Sequence, residues 1–352
     1  MMMKALVKTA SGPGNVELKD VPVPEVGPND VKIRVRACGI CGTDLHILHG
    51  AGWEIFPPIT LGHEFSGDIV EAGDDVERWT VGDRVTAEPP AVTCGVCEHC
   101  ITGYPALCSE RRSIGSGVDG AFAEYLVVPQ TRIHSLPGSV DYRVAALSEP
   151  AACCAHAVLE TGRVTAGDTV LVTGPGPVGL IVSQLAKIQG GTVVLAGTAD
   201  DRDRLALAER LGVDRTVVVG GGGENGETDG LEQALGELTG GRGADRAFEC
   251  AGVYPAFAAC ARGVRKHGSI VHMGIFPGPG TADLSPIVKK ELTIRGSFGS
   301  IHSSWERVLD LVGRGLVDLE SLITETLPLE RWERGFELME TRQACKVVLL
   351  PE

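Results

Sequence analysis

The chain lacks any uninterrupted apolar run long enough to span a bilayer, and nothing at its start has the basic and apolar pattern of a signal peptide. Positive charge is also scarce, because 32 Lys and Arg residues face 46 Asp and Glu residues and give a formal net charge of −14. An acidic surface disfavours nucleic acid and anionic membranes as partners. We therefore expect a cytoplasmic protein that acts on small molecules.

The chain also lacks the even cysteine count of a complete disulfide framework, since it contains eleven cysteines. Four of them fall in one short, turn-rich stretch, a pattern that favours metal binding in a reducing compartment. The cysteines scattered through apolar segments are interpreted as core thiols: Cys153, Cys154, Cys250, Cys260 and Cys345.

The length of 352 residues indicates about two domains. Residues 1–150 contain short Val-rich runs separated by Gly, Pro and Asp, which predicts a barrel-like β domain. Residues 151–295 alternate strands with amphipathic helices, which predicts a parallel, doubly wound α/β sheet. Residues 296–352 form a tail with two amphipathic helices and the strand Lys346–Leu350. The run 220–226 is predicted to be a flexible glycine-rich loop.

A glycine-rich turn follows the first buried strand of the second domain, Thr169–Thr173, and opens a helix. Its sequence, Gly174-Pro-Gly-Pro-Val-Gly179, is a Gly-x-Gly-x-x-Gly pattern in the context that predicts dinucleotide binding. The expected roles are a tight turn for Gly174, close approach of a pyrophosphate at Gly176, and close packing at Gly179. Pro177 and Val178 begin the helix whose N-terminus would face the phosphates.

The end of the next strand suggests which nicotinamide cofactor is used. NAD-specific sites carry an acid there for the ribose 2′-hydroxyl, and this chain has none at the expected place. A small residue, a hydroxyl and two nearby guanidinium groups suit a 2′-phosphate instead, so we expect NADP in preference to NAD. The residues concerned are Gly197, Thr198, Arg202 and Arg204. Asp200 or Asp201 on a ribose hydroxyl would favour NAD.

The four clustered cysteines, Cys94, Cys97, Cys100 and Cys108, follow a Cys-x2-Cys-x2-Cys-x7-Cys spacing. Four thiolates in one lobe close a tetrahedral shell around zinc and leave no position for substrate, which predicts a structural site. An iron–sulfur cluster is the rival, and it is disfavoured because nothing else in the chain indicates electron transfer.

A second, open metal site is predicted from residues far apart in the sequence. Cys41, His63 and Glu149 would supply a sulfur, a nitrogen and an oxygen ligand and leave one position for substrate, as a catalytic zinc requires. Glu64 is expected as an alternative ligand or as a neighbour that orients the site. Zinc lowers the pKa of a bound alcohol, which favours hydride transfer to a nicotinamide.

The proton released from such a buried site needs a relay to solvent. Thr43 and His46 follow Cys41 closely enough to supply it, while Asp44 is expected to orient a ligand. Five further side chains are interpreted as structural: Cys38, His99, His134, His156 and His302.

Together these motifs resemble the zinc-containing medium-chain alcohol dehydrogenases, nearest to the sorbitol (polyol) and threonine dehydrogenases. The resemblance rests on Cys38-Gly-Ile-Cys-Gly-Thr-Asp-Leu-His46, Gly62-His-Glu64, the cysteine lobe, Ser148-Glu-Pro150 and the glycine-rich turn. It implies a GroES-like β-rich catalytic domain over 1–150 and 296–352, a Rossmann domain over 151–295, one catalytic and one structural zinc, and a dimer or tetramer. This chain differs from the NAD-specific members, which carry an acid at the position of Gly197 and Thr198.

The function expected is the reversible oxidation of a secondary alcohol of a polyol, sugar or amino alcohol by NAD(P), with threonine 3-dehydrogenase-like activity as one alternative. A non-enzymatic cofactor-binding structural or sensor protein on the same fold is a further alternative. The open metal position disfavours it, because a structural protein has no need of one. A zinc-free reductase of the same fold is a third alternative. It is disfavoured because it would lack both sets of zinc ligands, and this chain has both.

Overall fold

The computed structural model of the protein describes residues 1–220, 229–276 and 278–351. Two compact units are present, one made of Met1–Ala152, Ser300–Gly315 and Leu319–Glu352, the other of Cys153–Gly299 and Leu316–Asp318. The predicted glycine-rich loop lies outside the described residues from position 221 onwards. No helix of the described residues has the length and apolar content needed to cross a membrane.

The N-terminal part of the first unit is rich in short strands, as its Val-rich runs predict. The strands are β1 (Met2–Lys8), β2 (Val16–Pro22), β3 (Asp30–Gly39), β4 (Ile59–Thr60), β5 (Glu64–Ala72), β6 (Arg84–Ala87), β7 (Pro90–Val92), β8 (Arg112–Ser113), β9 (Tyr125–Pro129) and β10 (Ile133–Ser135). The helices are α1 (Gly42–Leu48), α2 (Glu98–Ile101), α3 (Tyr142–Ala146) and α4 (Ser148–Ala155). α4 runs into the second unit, which begins at Cys153, and is continued there by a π-helical turn (His156–Gly162).

The second unit alternates strands and helices along the chain. Its strands are β11 (Thr169–Thr173), β12 (Thr192–Gly197), β13 (Arg215–Val218), β14 (Ala244–Glu249), β15 (Val264–His272) and β16 (Thr293–Gly296). Its helices are α5 (Pro177–Ile188), α6 (Arg202–Arg210), α7 (Asp229–Thr239), α8 (Tyr254–Gly263) and α9 (Ser285–Lys289). The strands form one parallel sheet in the order β13-β12-β11-β14-β15-β16, and this order confirms the predicted doubly wound fold.

The central strand of that sheet explains why its sequence is continuously apolar. Every residue of β11 is buried, because a parallel sheet is covered on both faces. At the edge of the sheet, by contrast, all of β16 is exposed. Its short and partly polar sequence, Thr-Ile-Arg-Gly, lacks the apolar run of a buried strand, so the sequence pattern does not predict it.

Most of the tail belongs to the first unit, and Leu316–Asp318 belongs to the second. It contains α10 (His302–Gly313), β17 (Ile323–Pro328), α11 (Trp332–Glu340) and β18 (Lys346–Leu350). In the mixed sheet of this unit the order is β10-β6-β5-β3-β18-β17, with β9 also paired to β3. β18 therefore lies between β3 and β17, and its buried Val347 and Leu349 join the core built on β3 and β5.

Candidate functional site

The predicted open metal site lies in the first unit, where the ends of three strands meet. β3 ends at Gly39, and the chain then reaches Cys41 at the N-cap of α1. β5 begins at Glu64, directly after His63. The antiparallel ladder pairs Gly39 with Glu64, and β18 pairs Val348 with Gly39. The sheet register therefore brings together residues that are far apart in the sequence.

Cys41, His63 and Glu64 converge on one point. Their candidate ligand atoms all lie within 4.8 Å of one another, and Glu64 is fully buried. Among the described residues, Glu64 Oε1 has no hydrogen-bond partner, although a buried carboxylate oxygen normally requires one. A thiolate, an imidazole and a carboxylate form a donor set that suits zinc, so the residues fit the metal predicted from the sequence.

Asp44 supports this donor set, in the role expected from the sequence. One oxygen of its buried carboxylate accepts the backbone N–H of Cys41 at 2.8 Å, and the other lies 3.8 Å from His63 Nδ1. Burial alone lowers the pKa of His63, but Cys41, Asp44 and Glu149 act in the opposite direction and raise that pKa well above its usual value. The surroundings of His63 thus attract positive charge.

A fully buried cation completes the site and was missed by sequence reasoning. Lys346, only 2% exposed, forms an ion pair with Glu64 Oε2 and donates to the carbonyl oxygen of Ile40 at 2.8 Å. Gly39 leaves room for the pair, because a Cβ there would lie 2.4 Å from Glu64 Oε2. The available signal was a lysine at the start of an otherwise apolar strand.

Replacing Lys346 by Met is expected to lower the free energy of unfolding by about 3–5 kcal/mol, because Glu64 would keep a buried charge without its partner. Chemical denaturation measures this change. The matched control is Lys19→Met, which breaks an exposed ion pair with Glu17 and should cost less than about 0.5 kcal/mol. Equal losses in the two variants would contradict the importance assigned to the buried pair.

The other residues predicted for this site lie on two helices of the same unit. Thr43 and His46 are half-buried and three positions apart on α1, which places them on one face of that helix. Glu149 is in the first turn of α4 and is 9% exposed. It is not among the three residues that converge within 4.8 Å, but its charge acts on His63.

The predicted closed site is also assembled in the first unit. The Sγ atoms of Cys94, Cys97, Cys100 and Cys108 lie within 4.8 Å of one another, with separations of 3.5–3.9 Å for three pairs. Zinc–sulfur bonds of about 2.3 Å in a tetrahedron require sulfur atoms about 3.8 Å apart. Backbone N–H groups of Val96 and Cys97 lower the pKa of Cys94 to about 7, which favours the thiolate. The lobe therefore fits zinc.

The glycine-rich turn of the second unit has the shape expected of a dinucleotide site. Gly174 has a φ of +93°, which non-glycine residues rarely adopt. A Cβ on Gly179 would lie 2.0 Å from the carbonyl oxygen of Gly174. A Cβ on Gly176, the N-cap of α5, would meet no protein atom within 4 Å. That open space in front of the helix N-terminus suits a pyrophosphate.

The ribose side of this site has one arrangement that the sequence did not reveal. Asp201 is buried, and its Oδ2 accepts both the backbone N–H and the hydroxyl of Thr198 at 2.9 and 2.8 Å. Its Oδ1 lies 3.8 Å from Arg204 Nη1. Asp201 therefore organises the turn after β12, whereas Asp200 and Arg202 are exposed.

Close packing requires a glycine at Gly197, in addition to the room for a 2′-phosphate proposed from the sequence. A Cβ at this position would lie 2.7 Å from the Pro175 ring and 3.2 Å from Asp201 Cβ. The absence of an acid at the end of β12 therefore also follows from the close approach of the glycine-rich turn.

Comparisons with known proteins agree with both parts of the chain. Residues 27–138 match the family described as "Alcohol dehydrogenase GroES-like domain", and residues 177–314 match the family described as "Zinc-binding dehydrogenase". The chain is 39% identical to a sorbitol dehydrogenase of Halalkalibacterium halodurans, over 99% of each chain. It is also 39% identical to an L-threonine 3-dehydrogenase of Bacillus velezensis, again over 99% of each.

A solved structure supports the same relationship. A zinc-binding dehydrogenase from Sinorhizobium meliloti 1021, described as putative and bound to NADP, superposes with a TM-score of 0.90 at 34% identity and 100% coverage of both chains. These matches confirm the predicted GroES-like and Rossmann fold class.

Proposed function

The chain belongs to the zinc-binding, medium-chain alcohol dehydrogenases and is an NAD(P)-dependent oxidoreductase of CH–OH groups; we propose that it oxidises a secondary alcohol of the polyol, sugar or amino-alcohol type. The observation that carries this proposal is the convergence of Cys41, His63 and Glu64. A buried carboxylate in the donor set matches the sulfur, nitrogen and oxygen ligands of an open zinc site.

We assign each residue of the site one task. Cys41 and His63 hold the zinc, with Glu64 or Glu149 as the oxygen ligand, and Asp44 orients the His63 ring. When bound, zinc lowers the pKa of the substrate hydroxyl.

Thr43 and His46, on one face of α1, carry the hydroxyl proton towards solvent. The four cysteines of the lobe hold the second, structural zinc. These two sites together therefore hold two zinc ions per chain.

The cofactor is proposed to be NADP in preference to NAD. The carboxylate of Asp201 accepts two hydrogen bonds from Thr198 and lies 3.8 Å from Arg204, so it is directed into the turn after β12. Arg202, exposed at the start of α6, supplies a positive charge beside that turn. A guanidinium binds a 2′-phosphate by charge-assisted hydrogen bonds, which a ribose hydroxyl cannot match.

Titration of the purified protein with NADPH and with NADH, followed by nicotinamide fluorescence, tests the cofactor proposal, with zinc content measured on the same sample. We expect tighter binding of NADPH and at least two zinc ions per chain, one for each of these sites. In Arg202→Ala, NADPH affinity should fall about 10-fold or more while NADH affinity changes little, because a charged hydrogen bond contributes about 1.5–3 kcal/mol.

The matched control for this test is Arg210→Ala, which removes an exposed arginine from the other end of α6 and should leave both affinities unchanged. Tighter binding of NADH by the wild type would contradict the proposal and assign the ribose to Asp200. Turnover of sorbitol-type polyols and of L-threonine by the same sample distinguishes the substrate classes.

We also propose that the protein works as a homo-oligomer, a dimer or tetramer, in the cytoplasm. The edge strand β16 exposes all four residues, and Leu284 and Val288, a few residues before it in the chain, are 57% and 80% exposed. An open sheet edge and exposed apolar side chains each suit a protein interface. The cysteines, all of which are among the described residues, are free thiols, which suits a reducing compartment.

A further inference from the structure

A second group of imidazoles and carboxylates lies in the first unit, among residues that neither zinc site uses. Glu88 follows β6, and His134 is in β10, which pairs with β6. His302 and Glu306 lie four positions apart on α10, so both side chains are on one face of that helix. We call these four residues the His134 cluster.

Three atoms of the cluster are arranged as ligands of one ion. Glu88 Oε1 lies 3.0 Å from His134 Nε2 and 2.9 Å from His302 Nδ1, and all three atoms are within 4.8 Å of one another. Ligands about 2.0–2.2 Å from a tetrahedral zinc ion are about 3.3–3.6 Å apart. The two measured separations are hydrogen-bond distances, about 0.3–0.7 Å shorter, so a bound ion requires the side chains to move apart by that small amount.

The orientation of His134 is fixed independently of these ligand contacts. Its Nδ1 lies 2.6 Å from Glu306 Oε1, on the side of the ring away from Glu88. The ring stacks on Trp305 at 5.2 Å and 7°, and Trp305 is fully buried and donates to Ser300. A carboxylate on the distal nitrogen is the usual partner of a metal-binding histidine, because it sets the tautomer that leaves the other nitrogen as a ligand.

The two members of the cluster on α10, His302 and Glu306, are exposed to solvent. Glu88 and His134 are buried, whereas the His302 side chain is 58% exposed. The second oxygen of Glu88 lies 3.6 Å from Arg132, so one carboxylate oxygen faces a cation and the other faces the two imidazoles. Access from solvent would leave a fourth coordination position for water.

We propose that Glu88, His134 and His302 form a third metal site, which binds a divalent first-row ion of the zinc class, with Glu306 as the residue that positions His134. Two imidazoles beside one carboxylate suit zinc, whereas calcium and magnesium prefer sites made of oxygen ligands alone. The bound ion ties α10 to β6 and β10. This inference does not depend on the proposed reaction.

Equilibrium dialysis of the zinc-loaded full chain against Zn²⁺, with metal counted on both sides of the membrane, tests the proposal. The wild type should bind about one zinc ion per chain more than His302→Ala, because that variant loses a ligand. The matched control is His267→Ala, which removes an exposed histidine paired with Glu291 and should bind as much zinc as the wild type.

A second variant examines the positioning residue. Glu306→Gln should keep all three ligands but weaken zinc binding at this site about 10-fold or more, because the carboxylate that fixes His134 is lost. The side chains of His302 and Glu306 are both exposed, and circular dichroism checks that each of the two variants is folded.

Equal zinc binding by the wild type and His302→Ala at every free zinc concentration would overturn the proposal and leave the cluster as an ion-pair network. Cys41→Ser should retain the additional zinc ion, so failure of this proposal and failure of the proposed enzymatic site give different results. Diffraction at the zinc absorption edge should place the ion between Glu88 and the two histidines.

Discussion

Replacement of Cys41 by Ser should reduce kcat/KM by about 10⁴-fold, because zinc contributes several kcal/mol to charge stabilisation and each 1.36 kcal/mol is a factor of ten. The serine hydroxyl is a poor zinc ligand, and the remaining His63 and Glu64 cannot hold the ion as tightly. Binding of NADPH should be nearly unchanged, because the glycine-rich turn belongs to the other unit. Steady-state kinetics and fluorescence titration measure the two effects.

Zinc content is the control for this prediction. The Cys41→Ser variant should lose the ion of the open site and keep the ion of the cysteine lobe. Normal turnover in a variant shown to lack the first ion would refute the assigned role of Cys41. A fall in thermal stability as large as the one described next would indicate that Cys41 has a structural role instead.

Replacement of Cys100 by Ser should act on stability before it affects chemistry. Its Sγ lies 3.9 and 3.5 Å from the sulfurs of Cys94 and Cys97, so the change opens the closed shell. Loss of a structural metal belongs to the mutations that cost more than about 4 kcal/mol. For a unit of this size we expect Tm to fall by about 8–16 °C, as measured by calorimetry.

Cys100→Ser and Cys41→Ser change the same atom in two different sites, so each is the matched control of the other. At a temperature where Cys100→Ser remains folded, its kcat should stay near the wild-type value. A stable but inactive Cys100→Ser would contradict this division between a structural and a catalytic site.

Much of the fold was predictable because its signals are local. The strand predicted over Thr169–Thr173 is observed with the same bounds, and the glycine-rich turn and the helix after it lie where the pattern indicates. The strand predicted over Lys346–Leu350 is likewise observed with the same bounds.

The parts of the site that could not be predicted depend on contacts between distant residues. Periodicity predicts the strand Lys346–Leu350 but not that β18 pairs with β3, and only that pairing brings Lys346 to Glu64. In the same way, His134 and His302 each look like an isolated histidine in the sequence. The fold of α10 onto β10 brings their rings to a centroid distance of 4.6 Å.

The place of Lys346 in the sheet has a consequence for biosynthesis. Roughly 300 residues separate the end of β3 from β18, and translation at about 5–20 residues per second needs about 15–60 s to make them. During that interval Glu64 has no Lys346 beside it, and β3 has an unpaired edge where β18 will lie. Nearly all of the second unit is the continuous segment Cys153–Gly299, which can fold while the first unit still lacks its last strand. On the ribosome, therefore, the nucleotide-binding half matures before the metal-binding half.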